Sequence, residues 1–339
     1  VAAYVGRRMA LAVIVMFGLT LVTFVVARVV PSDPAAQWVG ARATLAEIAR
    51  ARILLGLNRP LPVQYLRYMG DLLHGNLGVS IDTHQGVLAN IGEYLPNSLL
   101  LVLSGMLLAV AVGLPLGAWS ALRPGGGVDA VARIAAVGAV SMPTFWLALL
   151  LQLAFFGKLG WLPLSGDVNQ ITLALDPLVR TITGVPLVDA VLEANWAVAG
   201  DALTHLVLPA ITMAAYPFGL TVRMTRASLM DALAEDHART ARAWGLPLRT
   251  VAFRYAMRVA LPPVVTVLAL TLAYSLTGTF LIESVFAWPG IGAYTANAIV
   301  TSDYPAVMGV TLVVGAAYVL LNLAVDLVIA VLDPRVRYT

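Results

Sequence analysis

The chain has 339 residues, 60% of them hydrophobic and only 12% charged, with a formal net charge of +3 and no cysteine. Folding so apolar a composition in water would expose large greasy patches, so a soluble globular domain is excluded. The missing cysteines exclude disulfides, thiolate metal sites and thiol catalysis, and the small basic excess lacks the aromatic-interleaved patch of a nucleic-acid binder.

Six stretches supply the roughly 20 apolar residues that a helix needs to cross the hydrocarbon core. They are Met9–Ala27, Ser98–Leu122, Ile134–Gly157, Ala202–Val222, Val259–Ile282 and Tyr304–Val325, and none contains Asp, Glu, Lys or Arg. Their apolar runs are continuous rather than alternating, which predicts helices and not barrel strands. The expectation is an all-α, polytopic membrane protein with six transmembrane helices. Arginines of the short loops orient it: with Arg7 and Arg8 inside, Arg123, the charged stretch Glu235–Thr250 and the tail arginines Arg335 and Arg337 fall on the same side. Both termini are then cytoplasmic.

The first span lies within residues 1–30; its apolar run exceeds a signal core and shows no small-residue cleavage site before Pro31, so it reads as retained. Residues 31–96 form an extracytoplasmic amphipathic segment. In it Thr44 and Glu47 make a capping box for a short helix that Gly56 stops. Pro62 opens a second helix, with Tyr65, Leu66, Met69, Leu72 and Leu73 at helical spacing before Gly75. Two roles suit these helices equally: covering span ends, or meeting a partner. The remaining chain, 97–339, holds five further spans. Between the second and third, "RPGGGVD" (Arg123–Asp129) reads as a tight turn rather than a phosphate cradle. A long outer loop, 158–201, follows the third, and in it Leu187, Val191, Ala194 and Val198 line a predicted helix face.

The charged stretch belongs to a loop spanning residues 226–259. Leu233, His237, Ala241 and Trp244 recur at helical spacing, and Glu235 precedes Arg239 by one turn with favourable polarity. Gly245 supplies a reversal, Pro247 begins a second arm carrying Arg249, Arg254 and Arg258, and Pro262 and Pro263 open the next span. The product is a helix-turn-helix finger. A plain topology anchor needs the arginines but not an alanine-rich face, a glycine reversal and a tryptophan, so docking into a groove on another protein is expected.

Catalytic motifs are missing. A Walker loop needs Gly-Lys-Ser/Thr, whereas the chain's one lysine, Lys158, is followed by Leu159. His74, His84, His205 and His237 make no His-Glu-x-x-His pair, and no Gly-x-Ser-x-Gly elbow occurs. The chain is therefore not read as an enzyme.

"DHARTARAWGLPLRTVAFRYAMRVALPPVVTVL" resembles the EAA loop of ABC importer permeases, in the form of the dipeptide/oligopeptide/nickel subfamily. The segments "VPSDPAA", "LGLNRPLPVQYLRYMGDLLHGNLGVS", "SMPTFWLALLL", "LGWLPLSG", "THLVLPAIT", "ESVFAWPGIG" and "NLAVDLVIAVLDPRVRY" extend the likeness over nearly the whole chain, and their order is similar to the first of the two permease subunits. The resemblance implies a methionine-importer-type bundle in a prokaryotic cytoplasmic (inner) membrane, surrounded by lipid. It also implies a homologous second permease, two cytoplasmic ATPases and an extracytoplasmic solute-binding protein as partners. ATP and Mg would be bound by the ATPases, this chain holding no cofactor or metal and meeting no nucleic acid.

By the same resemblance, Asp231–Arg258 dock an ATPase, with Glu235, Asp236, His237, Arg239, Thr240, Ala241, Arg242, Trp244 and Gly245 as the contact set. Arg239, Thr240 and Ala241 stand where the loop's naming letters stand, and Gly245 at its glycine. Two features depart from the general pattern: Pro262–Pro263 lie farther from Gly245, as in the peptide subfamily, and Asp167–Asp201 is longer than the subfamily's usual connection. The implied cargo is a di- or oligopeptide moved by alternating access, with nickel chelates, glutathione or another small solute as alternatives. An ion-coupled secondary transporter is the competing class, but its paired midplane charges and repeated halves are not found.

For the translocation path the candidates are Ser141, Met142, Phe145 and Trp146 in the third span, Glu283 at the outer end of the fifth and Asp326 near the inner end of the sixth. Packing for the first four, and capping or pairing for the two acids, are the alternatives.

Overall fold

The structure, a computed structural model, describes the backbone of residues 2–29, 33–40, 42–178 and 180–332, with side chains for all of these except 2–5, 29, 277 and 325–332. In chain order the helices begin with α1 (Ala2–Val29), α2 (Pro34–Val39), α3 (Leu45–Leu54), α4 (Leu61–Leu73), α5 (Val87–Leu122) and α6 (Gly127–Ser141). Then come α7 (Thr144–Leu151), α8 (Gln170–Leu175), α9 (Pro186–Leu192), α10 (Trp196–Ala234), α11 (Asp236–Ala243) and α12 (Leu248–Thr250). The series ends with α13 (Met257–Gly278), α14 (Phe280–Phe286), α15 (Ile291–Val300) and α16 (Tyr304–Leu332). Among the described residues the single β-bridge, Val79 to Gly86, belongs to no strand. Among the described residues five helices are long and apolar enough to cross a membrane, or six spans result if one sharply bent pair counts as one. The all-α membrane architecture is as expected, while several boundaries differ.

The chain divides into two compact units, Val1–Asn97 with Pro289–Val319 and Ser98–Trp288 with Leu320–Thr339. In the first, the capping box at α3 is present: the Thr44 N–H and Oγ1 donate to Glu47 Oε2 at 2.7 and 2.8 Å, and the Glu47 N–H donates back to Thr44 Oγ1 at 3.4 Å. The Thr44 bonds favour the charged carboxylate and hold Glu47 below its ordinary titration range. Helix α4, with Pro62 in its first turn, packs on α1 through Tyr65, whose ring lies 5.2 Å from that of Phe24 and whose hydroxyl is 2.9 Å from Thr20 Oγ1. Helix α4 therefore covers part of the first span. Asp303 sets the start of α16 by accepting from the Ala306 N–H at 3.1 Å and from Ser80 Oγ at 2.5 Å. Val87, Ile91, Ile291, Tyr294 and Val310 form the apolar core beside it.

In the second unit, α5 presents Gly105, Gly113 and Gly117 toward α10 at multiples of one helical repeat. A Cβ on Gly105 would fall 2.7 Å from Met213 Cγ, and one on Gly117 would fall 2.7 Å from the Val222 carbonyl oxygen. Such a small-residue stripe lets two backbones approach where no hydrophobic effect drives association, as inside a bilayer. Gly219 plays the same part for α6, since its Cβ would meet the Ala136 carbonyl at 2.5 Å.

Three sequence expectations are corrected here. The third span is not continuous over Ile134–Gly157: α6 and the segment after Pro143 are bent by 110°, because proline forces Met142 into an extended conformation (ψ 130°) and stops the helix. The fourth extends over Trp196–Ala234, accommodating Pro209 and Pro217, with the Thr212 and Thr221 hydroxyls bonded to the Leu208 and Pro217 carbonyls. Pro262 and Pro263 lie inside α13 instead of opening it, and the stretch Leu248–Leu276 runs as one span.

The loop 158–201 also differs from its expected helix face. Ala194 has φ 56°, so α9 ends before it, and Leu187 and Val191 do not share a helix with Val198. Asp189 organises the loop by accepting from the Thr183 N–H, Thr183 Oγ1 and the Gly184 N–H at 2.8, 2.7 and 3.1 Å. Val168, Ala190, Val198 and Ala202 form a small core under it.

Candidate functional site

The finger is built by three local breaks. Glu235 adopts an extended conformation (ψ 159°) that ends α10 and starts α11 at a new angle. At the far end Gly245 has φ +78°, the Leu246 N–H donates to the Ala241 carbonyl at 3.3 Å, and the Gly245 N–H to the Arg242 carbonyl at 2.9 Å. This pair of bonds is a Schellman closure, and Leu246 packs on Ala241 as that motif favours. Pro247, extended at ψ 145°, then starts the second arm, which passes through the π-helical segment Val251–Ala256 into α13. The second arm is thus helically continuous with α13, while the first is joined to α10 through the one extended residue Glu235.

Tertiary packing reverses the expected use of the alanine face. Ala238 and Ala241 are 0% and 4% exposed and pack on Val251, Leu233 and Leu246 of the same chain. Ala241, placed by the sequence in the docking set, instead helps to hold the two arms together. The outward face carries Glu235, Asp236, Arg239, Thr240, Arg242 and Trp244, the indole being 79% exposed. Arg242 bonds the Leu233 carbonyl at 2.8 Å, tying α11 back to the end of α10. His237 places Nδ1 3.2 Å from Glu235 Oε2, while its Nε2 is buried without a hydrogen-bond partner. Arg239 and Asp236, 3.6 Å apart, are too exposed for their pairing to matter much.

Behind the finger is a charge cluster that reading the sequence missed. Asp129, 1% exposed at the start of α6, accepts from Arg226 Nε at 2.6 Å and Nη2 at 3.1 Å, from the Gly125 N–H at 2.9 Å, and from Ser120 Oγ. One carboxylate therefore joins the end of α5, the glycine turn, α6 and α10 two turns before the finger. Its signal in the sequence was an acid at the mouth of an apolar run, with Arg226 at the end of another; distance along the chain hid the pairing.

The proposed path residues separate. Met142 lines a 260 Å³ cavity with Val140, Met213, Tyr216, Tyr274 and Ser275, at the break of the third span. Ser141, Phe145 and Trp146 are exposed and do not line it. Glu283 is 0% exposed and accepts from Ser98 Oγ at 2.5 Å, which binds α14 to α5 and matches the pairing alternative. The Asp326 side chain lies outside the described residues.

Comparison with known proteins supplies the context for this geometry. Residues 113–338 match the family described as binding-protein-dependent transport system inner membrane component, and residues 1–102 match its N-terminal membrane-component family. The chain is 43% identical over 324 residues to the probable D,D-dipeptide transport system permease protein of Escherichia coli (strain K12), covering 96% of this chain and 94% of that protein. It is 39% identical over 336 residues to the di/tripeptide transport system permease protein of Pseudomonas aeruginosa (strain UCBPP-PA14), covering 99% and 98%. Against the dipeptide transport system permease protein of Alkalihalophilus pseudofirmus the identity is 38% over 336 residues, covering 99% of each.

Proposed function

The chain belongs to the family of binding-protein-dependent transport system inner-membrane components, and on that premise we propose that it carries short peptides inward as one half of a permease pair driven by two ATPases. Support for the cargo comes from relatives named for dipeptides and di/tripeptides that align over nearly the full chain. A solute-binding protein delivers the peptide on the outer side, and a homologous second permease completes the path. The protein itself hydrolyses nothing; its partners bind ATP and Mg.

The observation that carries the coupling role is the direct connection of both finger arms to spans, the second as one unbroken helix and the first through the single extended residue Glu235. α10 enters the finger and α13 leaves it, so a partner that moves α11 moves two spans together. The rigid joint comes from the chain's own alanines and the Schellman turn, and Trp244 and Arg239 on the outward face offer the anchors that an ATPase groove would take. The Asp129–Arg226 cluster carries that motion to α6, whose broken end borders the cavity at Met142. Alternating access then amounts to opening and closing a weakly binding path.

The test is a pull-down of tagged protein in mild detergent with mass spectrometry of the co-purifying chains and of any ligand on the binding protein. Recovery of a second permease, two ATPases and a peptide-loaded binding protein supports the reading. Recovery of the chain alone from a preparation that still transports rejects it in favour of ion-coupled transport.

A further inference from the structure

Beside the finger's second arm lies a 560 Å³ groove that the coupling role leaves unused. Its walls come from the end of α5 and from the stretch running from α12 into α13: Leu114, Trp119, Phe253, Met257 and Leu261 are among them, and no acidic residue contributes. Arg123 follows the last residue of α5 and Arg249 lies in the short helix that opens the second arm, so each wall of the groove ends in an arginine. Neither has a salt-bridge partner among the described residues. From Arg123 back to Leu114 the wall is apolar for about 13 Å at 1.5 Å per residue. Trp119 and Phe253 are 53% and 55% exposed and give the groove an aromatic lining that an acyl chain can cover.

A groove whose two walls each end in an arginine and whose body is apolar fits an anionic amphiphile. The chain lies in a membrane, and basic pockets between spans at the cytoplasmic end are where anionic headgroups collect. We propose that this groove binds one anionic phospholipid, its phosphate on Arg123 and Arg249 and an acyl chain along Trp119, Phe253 and Leu261. Because Leu248 and Arg249 belong to the finger, the bound lipid braces the second arm against α5. The inference rests on the membrane spans and not on the importer reading, since lipid retention is measured whether or not transport occurs.

The experiment uses the protein purified with whatever partners it retains, placed in phosphatidylcholine nanodiscs titrated with phosphatidylglycerol, and reads bound lipid by native mass spectrometry. Wild type should keep one phosphatidylglycerol through delipidation. The double variant Arg123→Gln, Arg249→Gln should bind it about thirtyfold more weakly, the loss expected of two guanidiniums at an anionic headgroup. Arg123→Lys with Arg249→Lys should keep most of the binding, and Trp119→Ala should weaken it with both charges intact. Inorganic phosphate should not compete, which separates a lipid from a free anion. Equal retention by wild type and the glutamine variant, no retained lipid in wild type, or a photo-crosslink from position 253 to a second permease chain in place of lipid would each overturn the proposal.

Discussion

Arg226 grips Asp129 across 97 residues of sequence with two parallel hydrogen bonds, Nε to Oδ1 at 2.6 Å and Nη2 to Oδ2 at 3.1 Å. A planar guanidinium matches both carboxylate oxygens at once, which lysine's single ammonium cannot do. Because the carboxylate is buried, removing either partner strands a charge. Arg226→Lys should lower the melting temperature of the purified protein by about 5–10 °C, and Asp129→Asn should do at least as much. Melting of both variants within a degree of wild type would show that the pair is not structural.

The turn at Gly245 tests the finger's geometry. A Cβ there meets nothing within 4 Å, so the obstacle is backbone conformation alone. Gly245→Ala should cost about 1–2 kcal/mol of local stability from the left-handed φ and leave partial transport. Gly245→Pro, locked at negative φ, should insert in the membrane at wild-type levels and lose peptide uptake. Wild-type uptake by the proline variant refutes the coupling role of the reversal.

Trp244 and Ala241 lie three residues apart on α11 and its cap but face different ways, so their substitutions should separate docking from finger stability. Trp244→Ala removes an exposed anchor and should weaken ATPase retention by about 2 kcal/mol, roughly thirtyfold, without changing protease sensitivity of the finger. Ala241→Leu overfills the joint against Val251 and should expose the finger to protease. Protease profiles that rank the two variants the other way would reassign the faces.

Two glycines of α10 provide an internal control. Gly219→Ala forces a Cβ to within 2.5 Å of the Ala136 carbonyl and should destabilise by about 1–3 kcal/mol. Gly200→Ala meets open space in the same helix and should be neutral or stabilising by up to about 1 kcal/mol. Thermal shifts of the two variants give the comparison directly.

Glu47 makes the capping box sensitive to pH. Folding lowers its pKa through the Thr44 hydrogen bonds, so the stabilisation is present above the unfolded pKa and fades as pH falls through the folded one. Amide exchange in α3 should therefore gain protection between acid and neutral pH in excess of the intrinsic rate change. In Glu47→Gln that excess should vanish.

Much of this architecture was legible in the residues, and the parts that were not share a cause. Composition and unbroken apolar runs determined a helical membrane protein, because burying that much apolar surface away from water leaves few alternatives. Turn chemistry determined the capping box at Thr44, the reversal at Gly245 and the start of the second arm at Pro247, since each depends only on neighbours within a few residues. The "SMP" at the third-span break carries the same kind of signal, but the apolar run continues unbroken across it and hides the break. Only the tertiary structure decided which face of α11 is turned inward, because that depends on Val251 arriving from the other arm to cover Ala238 and Ala241. It alone paired Asp129 with Arg226, buried Glu283 against Ser98, and set Arg123 and Arg249, with no salt-bridge partner among the described residues, along an apolar groove. Local propensity acts within a turn or two of helix, whereas burial and charge pairing are settled by which distant segments pack together.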